Sequence, residues 1–278
     1  MRHAARNALL TAAYVHPAAM RKVISPGGLS EFKRYLAEMY RCSKTDAGLH
    51  LPVVRPQEVV PGDVTFQVTR PLDADGSMTL TEIASICQLV AALDPLKIVE
   101  IGSFHGLTTV NLARNAPRAT VHTVDLPPAA LASDTVFANN DAAIIERRQG
   151  YVYEGSEVEG RIAQHYGDTA TFDFEREIGS GVDLILIDAA HSYEYVRNDT
   201  VRTLPLLHRG SVILWHDYGR NDFMTEPEDA WGVTRFLHEL RDVGVAVLQG
   251  TSLGVLRLDE TSRPLLDQHL GAAGASAA

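Results

Sequence analysis

Short runs of apolar and β-branched residues recur along the chain, and each ends at glycine or at acidic and polar residues. The clearest are KIVEIG at 97–102, ATVHTVDL at 119–126, VDLILIDAA at 182–190 and SVILWHDY at 211–218. Segments with helical periodicity separate them, at 107–116 and 193–207. Strands that alternate with helices are typical of a parallel sheet covered on both faces. The pattern therefore predicts an α/β core.

The flanking segments follow other patterns. Residues 1–45 read as amphipathic helices, and residues 46–75 contain four prolines and little periodicity, which predicts an extended linker or flap. A helix is predicted to begin at Thr79 or Thr81 and to end at Asp94-Pro95. The segment 244–258 reads as two strands joined by a short turn, so the sheet should finish with an antiparallel hairpin.

The domain prediction follows from these changes of pattern. An N-terminal helical and extended cap occupies 1–75, and the α/β core occupies 76–262. The end of the chain, GAAGASAA, is a low-complexity run of small residues, so 263–278 is predicted to be a flexible tail.

Composition narrows the class of protein. Of the 278 residues 45% are hydrophobic and 22% charged, which is typical of a globular chain. The formal net charge of −10 disfavours nucleic acid and anionic membranes as partners. No apolar run reaches the roughly 18 residues of a membrane helix. Two cysteines, Cys42 and Cys87, are too few for a disulfide framework, so we expect a cytoplasmic protein.

Ligands of open parallel sheets bind at the carboxyl ends of the strands, and polar residues of this chain concentrate there. The first group is EIGSFHG at 100–106, a turn whose glycines allow close approach of a ligand to the backbone. Its G-x-x-x-G spacing differs from the G-x-G-x-x-G of dinucleotide enzymes. Asp125 follows Gly102 by 23 residues, at a distance suited to a ribose acceptor or, alternatively, to a helix N-cap. Together they favour an adenosyl ligand.

Three more groups end neighbouring strands. Asp168, followed by Thr169, could accept from an adenine amino group or could cap a turn. Asp188 and His191 follow one strand, and His216 and Asp217 follow the next. Two carboxylates and two imidazoles at adjacent strand ends can bind a divalent cation or act as acid and base.

The ordered set of motifs resembles the class I S-adenosylmethionine-dependent methyltransferases. The resemblance spans about residues 76–260 and includes GDTATFDF, GVTRFLHEL and GTSLGVL in the family's order. It is closest to the branch of catechol, caffeoyl-CoA and bacterial sugar and antibiotic O-methyltransferases. It implies a Rossmann-like, seven-stranded, mostly parallel sheet with an antiparallel last strand, helices on both faces and an N-terminal helical cap.

The resemblance also implies roles for individual residues. The methionine end of the cofactor would lie against Gly102, Ser103, Phe104 and Gly106, and Glu100 would support that loop or hold the amino group. The ribose would contact Asp125 and Leu126, and the adenine would contact Asp168 and Thr169. Asp188 would belong to both the cofactor site and the catalytic site.

In the catechol branch, Asp188 matches the first metal aspartate, His216 and Asp217 match the second metal pair, and His191 matches a catalytic lysine. Histidine at 216 replaces an oxygen ligand, whereas Mg²⁺ prefers oxygen. An imidazole ligand would favour Mn, Fe or Zn over Mg. Alternatively, His216 does not bind a metal and acts as a base. His191 is chemically suited to be the general base, because its pKa lies near neutrality.

The expected reaction is O-methylation of a hydroxyl on a small molecule such as a sugar, phenol or natural product. It is either assisted by a divalent cation or driven by a histidine base. A nicotinamide-dependent dehydrogenase would share the fold. This chain lacks the glycine motif of those enzymes, and the terminal antiparallel hairpin also disfavours that alternative. A catalytically inactive binding module is the third alternative. The N-terminal helices could mediate a homodimer.

Overall fold

The computed structural model describes residues 51–69, 77–127, 130, 135–137, 152–219 and 232–274. The chain divides into two units, 1–49 and 50–278, and the described residues all belong to the second. The helices predicted within 1–45 and Cys42 lie outside the described residues. Among the residues that are described, no helix has the length and apolar character needed to cross a membrane.

The described residues include eight strands, which form one sheet in the order β4-β3-β2-β5-β6-β8-β7-β1. Their bounds are β1 Val53–Val54, β2 Lys97–Ile101, β3 Thr120–Asp125, β4 Ile162–Tyr166, β5 Val182–Ile187, β6 Leu207–Trp215, β7 Ala246–Leu248 and β8 Gly254–Arg257. All neighbouring pairs are parallel except the two that β8 makes, with β6 and β7. The predicted mostly parallel sheet with a terminal antiparallel hairpin is confirmed, and the two-residue β1 adds an eighth strand at one edge.

The central strands are buried on both faces. Side chains alternate across a strand, so neighbouring residues enter different cores. On β2, Val99 and Ile101 belong to one apolar cluster, whereas Ile98 belongs to the other. On β5, Ile185 and Leu184 divide in the same way. This explains why these strands read as uninterrupted apolar runs.

Seven helices accompany the described strands. They are α1 Pro56–Val59, α2 Leu80–Leu93, α3 Leu107–Asn115, α4 Phe174–Glu177, α5 Tyr193–Thr203, α6 Gly232–Glu239 and α7 Ser262–Gly274, with short 3₁₀ turns at Glu159–Arg161, Leu204–Leu206 and Arg241–Val243. The predicted bounds of α2 are confirmed. Thr79 and Glu82 form a capping box at its start, and Asp94 ends it in a left-handed conformation.

Two segments differ from the domain prediction. The predicted flexible tail is helical from Ser262 to Gly274, because Leu266 and Leu270 lie one turn apart and are buried in the core. Residues 51–69, predicted to belong to the cap, carry β1 and α1 and join the unit that holds the sheet. The unit that holds the sheet therefore begins at residue 50.

Candidate active site at the carboxyl ends of the strands

The turn after β2 is built around close backbone contacts. Gly102 has a φ of 97°, and a Cβ atom placed there would lie 2.0 Å from the carbonyl oxygen of Asp188. Phe104 and Gly106 also have positive φ angles, of 44° and 71°. Gly106 is the N-cap of α3, and no described side chain caps this helix. The turn therefore directs the first amides of α3 towards the strand ends.

Asp125 holds this turn in place. Its Oδ2 accepts hydrogen bonds from the amides of Ser103 (2.8 Å) and Phe104 (3.0 Å), and its Oδ1 accepts from Leu126 (2.7 Å). Burial raises the pKa of Asp125, although these three amides lower it in part. Oδ1 accepts one N–H group from the backbone and so retains a lone pair for a ligand. The acid and the glycine turn, 23 residues apart in sequence, are thus in contact, and the role of Asp125 towards a ribose stays a prediction.

Glu100 lies beneath the turn and is fully buried. Its Oε2 accepts from the hydroxyls of Thr109 (2.5 Å) and Thr123 (2.7 Å), while Oε1 has no hydrogen-bond partner among the described residues. Burial raises the pKa of Glu100 to about 8, and the charges of Asp188 and Asp125 act in the same direction. The side chain is therefore a neutral acid near pH 7 that links β2, β3 and α3.

Asp168 follows β4, the strand beside β3. Its Oδ2 accepts from the amide of Val136 (2.8 Å) and the hydroxyl of Tyr195 (2.9 Å), and its Oδ1 accepts from the amide of Ala170 (2.9 Å). Thr169 is buried and forms a side-chain hydrogen bond with Asp199 of α5. Both residues are thus engaged by the protein, and one lone pair of Asp168 Oδ1 remains.

The ends of β5 and β6 bring two acids and two histidines together. His216 Nδ1 lies 2.7 Å from Asp188 Oδ1 and 3.3 Å from Asp217 Oδ1. His191 Nε2 lies 2.7 Å from Asp217 Oδ2. Asp217 has a φ of 68°, a left-handed conformation that is uncommon outside glycine and that aims its carboxylate between the two imidazoles.

His216 is almost fully buried, which by itself disfavours its charged form. The carboxylates of Asp188, Asp217 and Glu82 outweigh that effect and raise its pKa well above the ordinary value for histidine. His216 is therefore a buried imidazolium that partly neutralises the three acids around it.

A divalent cation would find three converging ligand atoms on Asp188, His191 and Asp217, which all lie within 4.8 Å of one another. His216 lies beside this group, with its Nδ1 2.7 Å from Asp188 and its Nε2 3.5 Å from Glu82. The structure brings the predicted ligands Asp188, His216 and Asp217 into contact, and their role as ligands stays a prediction.

Glu82 is a member of this site that sequence reasoning missed. It is buried, and its Oε2 accepts from the amide and hydroxyl of Thr79 (both 2.8 Å). Its Oε1 accepts from the amide (3.0 Å) and hydroxyl (2.6 Å) of Ser252 in the β7–β8 turn. The T-x-x-E pattern predicts a helix cap. It gave no signal that the same carboxylate faces His216.

A shallow cleft opens beside the glycine turn. Its lining combines the turn, the start of α3, two residues before α2 and one acid of the cluster: Ser77, Met78, Gly102, Ser103, Phe104, His105, Leu107, Thr108 and Asp188. Asp188 is shared by the cleft and the cluster of acids and histidines. A ligand in the cleft would therefore lie next to that cluster.

Comparison with known proteins shows what this arrangement is similar to. A family model described as a methyltransferase domain matches residues 99–218. A search of curated proteins finds no match. The SAH-bound methyltransferase PaMTH1 from Podospora anserina has a similar fold, with a TM-score of 0.53 and 15% identity over 85% of this chain and 99% of that one.

Two other solved structures are also similar at low identity. Cofactor-bound Rv0187 from MTB is 18% identical, with a TM-score of 0.46, over 86% of this chain and 93% of that one. The O-methyltransferase TomG from Streptomyces achromogenes is 19% identical, with a TM-score of 0.45, over 65% and 80%. The family-model match spans the glycine turn, Asp125 and both acid–histidine strand ends. The chain is therefore similar, over these residues, to a methyltransferase domain.

Proposed function

We propose that this protein transfers the methyl group of S-adenosylmethionine to a hydroxyl group of a small molecule. The observation that carries the proposal is the shared position of Asp188, which lines the cleft beside the glycine turn and also contacts His216. A methyl donor in the cleft would lie next to groups that can remove a proton. Methyl transfer to a hydroxyl needs that combination.

The residues around the cleft fit this cofactor. The uncapped start of α3 suits the carboxylate of the methionine part, because free amides and the helix dipole favour an anion. The remaining lone pair of Asp125 Oδ1 suits a ribose hydroxyl. S-adenosylmethionine, when bound, supplies a methyl group that its sulfonium already makes electrophilic. The protein has then to align the acceptor oxygen and to take its proton.

His191 and Asp217 are suited to that proton transfer. The 2.7 Å contact joins Asp217 Oδ2 to His191 Nε2, which orients the ring and stabilises its charged form. The acceptor oxygen would bond to the methyl carbon as the carbon–sulfur bond breaks, and the hydroxyl proton would pass to His191. The products are a methyl ether, a neutral thioether and a protonated histidine.

A divalent cation is the second way to favour loss of the proton. Asp188, His191 and Asp217 offer two oxygens and one nitrogen, a set that suits Mn, Fe or Zn better than Mg. A cation held there would supply Lewis acidity. His191 cannot be both a ligand and the base at the same nitrogen, so the two mechanisms predict different responses to a chelator.

The first test is a calorimetric titration of the protein with S-adenosylmethionine in the absence of an acceptor. We expect saturable binding at one site per chain. Asp125→Ala should weaken it by about 1–3 kcal/mol, or roughly 5- to 150-fold in Kd, because a charged hydrogen bond is lost. No binding at millimolar cofactor would contradict the proposal. Binding of a nicotinamide cofactor in its place would favour the dehydrogenase alternative.

The second test measures methyl transfer to a panel of sugars, phenols and other hydroxyl compounds, with and without a chelator. His191→Ala should lower turnover roughly 10²- to 10⁴-fold, the usual contribution of a positioned base. His208→Ala is the matched control. His208 is half-exposed and pairs with Asp183 at the amino ends of β5 and β6, away from the candidate site. Full activity in chelator would exclude the cation. Cofactor binding without turnover on any acceptor would favour an inactive binding module.

A further inference from the structure

Helix α6 packs across the two loops that carry His191 and Asp217. The β5 loop, 188–192, joins β5 to α5, and the β6 loop, 216–219, follows β6. The two loops meet where His191 Nε2 lies 2.7 Å from Asp217 Oδ2. This contact joins side chains that follow different strands. Its length therefore depends on what holds each loop in place.

The β5 loop meets α6 at a glycine. A Cβ atom at Gly232 would lie 2.1 Å from the carbonyl oxygen of His191 and 2.5 Å from the amide nitrogen of Tyr193. Gly232 is buried and its backbone is helical, so the missing side chain serves close packing and not an unusual backbone conformation. Helix α6 thus lies directly against the backbone that carries His191.

The β6 loop meets α6 through a hydroxyl. Thr234 is buried, and its Oγ1 accepts a hydrogen bond from the amide of Gly219 at 2.9 Å. The preceding amide, that of Tyr218, donates to the carbonyl oxygen of Ser252 at 2.9 Å. The two amides directly after Asp217 are therefore held by two different elements. Such support is what a left-handed residue like Asp217 needs.

The rest of α6 contacts the tyrosine that follows each loop residue. The hydroxyl of Tyr193 donates to Glu239 Oε2 at 2.7 Å, and the guanidinium of Arg235 lies 4.2 Å from the centre of the Tyr193 ring. The hydroxyl of Tyr218 lies 2.9 Å from His238 Nε2. Helix α6 thus contacts the chain at two points after His191 and at two points after Asp217.

We propose that Thr234 is a positioning residue whose hydroxyl holds the β6 loop against α6 and so keeps Asp217 in contact with His191. The inference rests on the proposed function, in which His191 receives the proton of the acceptor. A displacement of about 1 Å at a reacting group can cost about 10²-fold in rate. No residue of α6 lines the cleft beside the glycine turn. Loss of the hydroxyl should therefore affect methyl transfer and not the binding of S-adenosylmethionine.

Thr234→Val is the test variant, because it keeps the shape of the side chain and loses the group that accepts from Gly219. With the phenols and sugars of the acceptor panel, its turnover should fall roughly 10- to 100-fold. Its Kd for S-adenosylmethionine, measured by calorimetry, should stay within about 2-fold of the wild-type value. Thr234→Ser keeps the hydroxyl and should keep turnover within about 3-fold of wild type.

A double-mutant cycle shows whether the hydroxyl acts through the contact between Asp217 and His191. In a His191→Ala background that contact is already lost, so Thr234→Val should lower the remaining turnover by less than about 2-fold. A full 10-fold further loss in that background would contradict the inference. Methyl-labelled S-adenosylmethionine makes the low rates measurable.

Thr203→Val is the matched control. Thr203 is buried, and its hydroxyl donates to the carbonyl oxygen of Asp199 at 2.6 Å, at the end of α5 that is far from His191. The variant loses the same group from a buried site, and its turnover should stay within about 2-fold of wild type. Equal losses of turnover in the two variants would mean that Thr234→Val acts through stability alone.

A second measurement needs no acceptor. Nuclear magnetic resonance of protein labelled with ¹⁵N at histidine detects each imidazole ring, and His191→Ala identifies the signals of His191. Contact with a carboxylate determines which ring nitrogen carries the proton. Thr234→Val should therefore move the Nε2 signal of His191 towards that of a histidine in water, whereas Thr234→Ser and Thr203→Val should not. Thermal unfolding verifies that each variant is folded, and Thr234→Ala carries the test if Thr234→Val is not.

The inference and the proposed function can fail separately. If the wild type methylates the panel and Thr234→Val retains both its turnover and its His191 signal, Thr234 does not position the pair and the proposed function stands. If the wild type methylates no compound, the inference about turnover fails with the proposed function. An unchanged His191 signal in Thr234→Val would then remove the structural role as well.

Discussion

The glycine turn depends on one missing side chain. A Cβ atom at Gly102 would overlap the carbonyl oxygen of Asp188, and the backbone there cannot retreat without moving the end of β5. Gly102→Ala should therefore lower the free energy of unfolding by about 4 kcal/mol or more, among the largest single-residue effects. Urea unfolding measures it, and the same variant should bind S-adenosylmethionine poorly.

Gly181→Ala separates the cost of the steric overlap from the cost of the left-handed backbone conformation. Gly181 has a similar left-handed φ of 81°, but a Cβ atom there would meet nothing within 4 Å. Its substitution should cost roughly 1–2 kcal/mol, the price of the left-handed conformation alone. Equal losses at the two positions would mean that the contact with Asp188 is unimportant.

Glu100 makes the stability of the protein depend on pH. Because its pKa is about 8 in the folded chain and near 4.5 in the unfolded one, the folded state binds more protons between these values. The contribution to the free energy of unfolding therefore falls as pH rises from about 4.5 to 8. Glu100→Gln, which cannot ionise, should gain stability relative to the wild type over this interval. Urea unfolding at pH 5 and pH 8 tests this, and a difference that is constant with pH would contradict it.

Residues that end strands could be predicted from the sequence, whereas those contributed by helices could not. Asp125 and Asp188 follow apolar runs, and parallel strands bring such residues to one edge. Glu82 and Asp199 lie on helices, where a polar residue normally faces solvent. Their burial depends on how each helix packs against the sheet, and no local pattern specifies that.

At the scale of elements, Glu82 joins three parts of the fold. It closes the capping box of α2, accepts two hydrogen bonds from Ser252 and faces His216. The carbonyl oxygen of Ser252 in turn accepts from the amide of Tyr218, directly after Asp217. The start of α2 and the β7–β8 turn therefore enclose the loop that carries His216 and Asp217.

Glu82→Gln should lower the free energy of unfolding by about 1–3 kcal/mol, because an amide group cannot accept all the hydrogen bonds that the buried carboxylate accepts. Glu58→Gln is the matched control, since Glu58 occupies the same capping-box position of α1 but is exposed. It should cost no more than about 0.5 kcal/mol. Thermal unfolding of both variants provides the comparison, and equal effects would show that Glu82 acts as a helix cap alone.

Elements with strong local signals were predicted well, and elements defined by distant partners were not. The capping box and the left-handed Asp94 give α2 clear ends. Strand β1 has two residues and exists because it pairs with β7, nearly 200 positions further along the chain. Helix α7 reads as the start of a low-complexity tail until Leu266 and Leu270 are seen to meet the core.

At the scale of the molecule, the strand order brings the candidate site residues together. The order β4-β3-β2-β5-β6 places five parallel strands side by side, so the groups that follow them occupy one continuous edge. Alternating strands and helices predict a parallel sheet, but they do not predict this strand order. Many orders satisfy the same alternation.

The position of β8 has a consequence for synthesis. It is the last of the described strands along the sequence, yet it lies inside the sheet, between β6 and β7. As the chain leaves the ribosome, β6 keeps an open edge of unpaired amides and carbonyls until residues 254–257 have emerged. The newly made protein must pass through an interval in which that edge can pair with another chain, and shielding by a chaperone would matter most then.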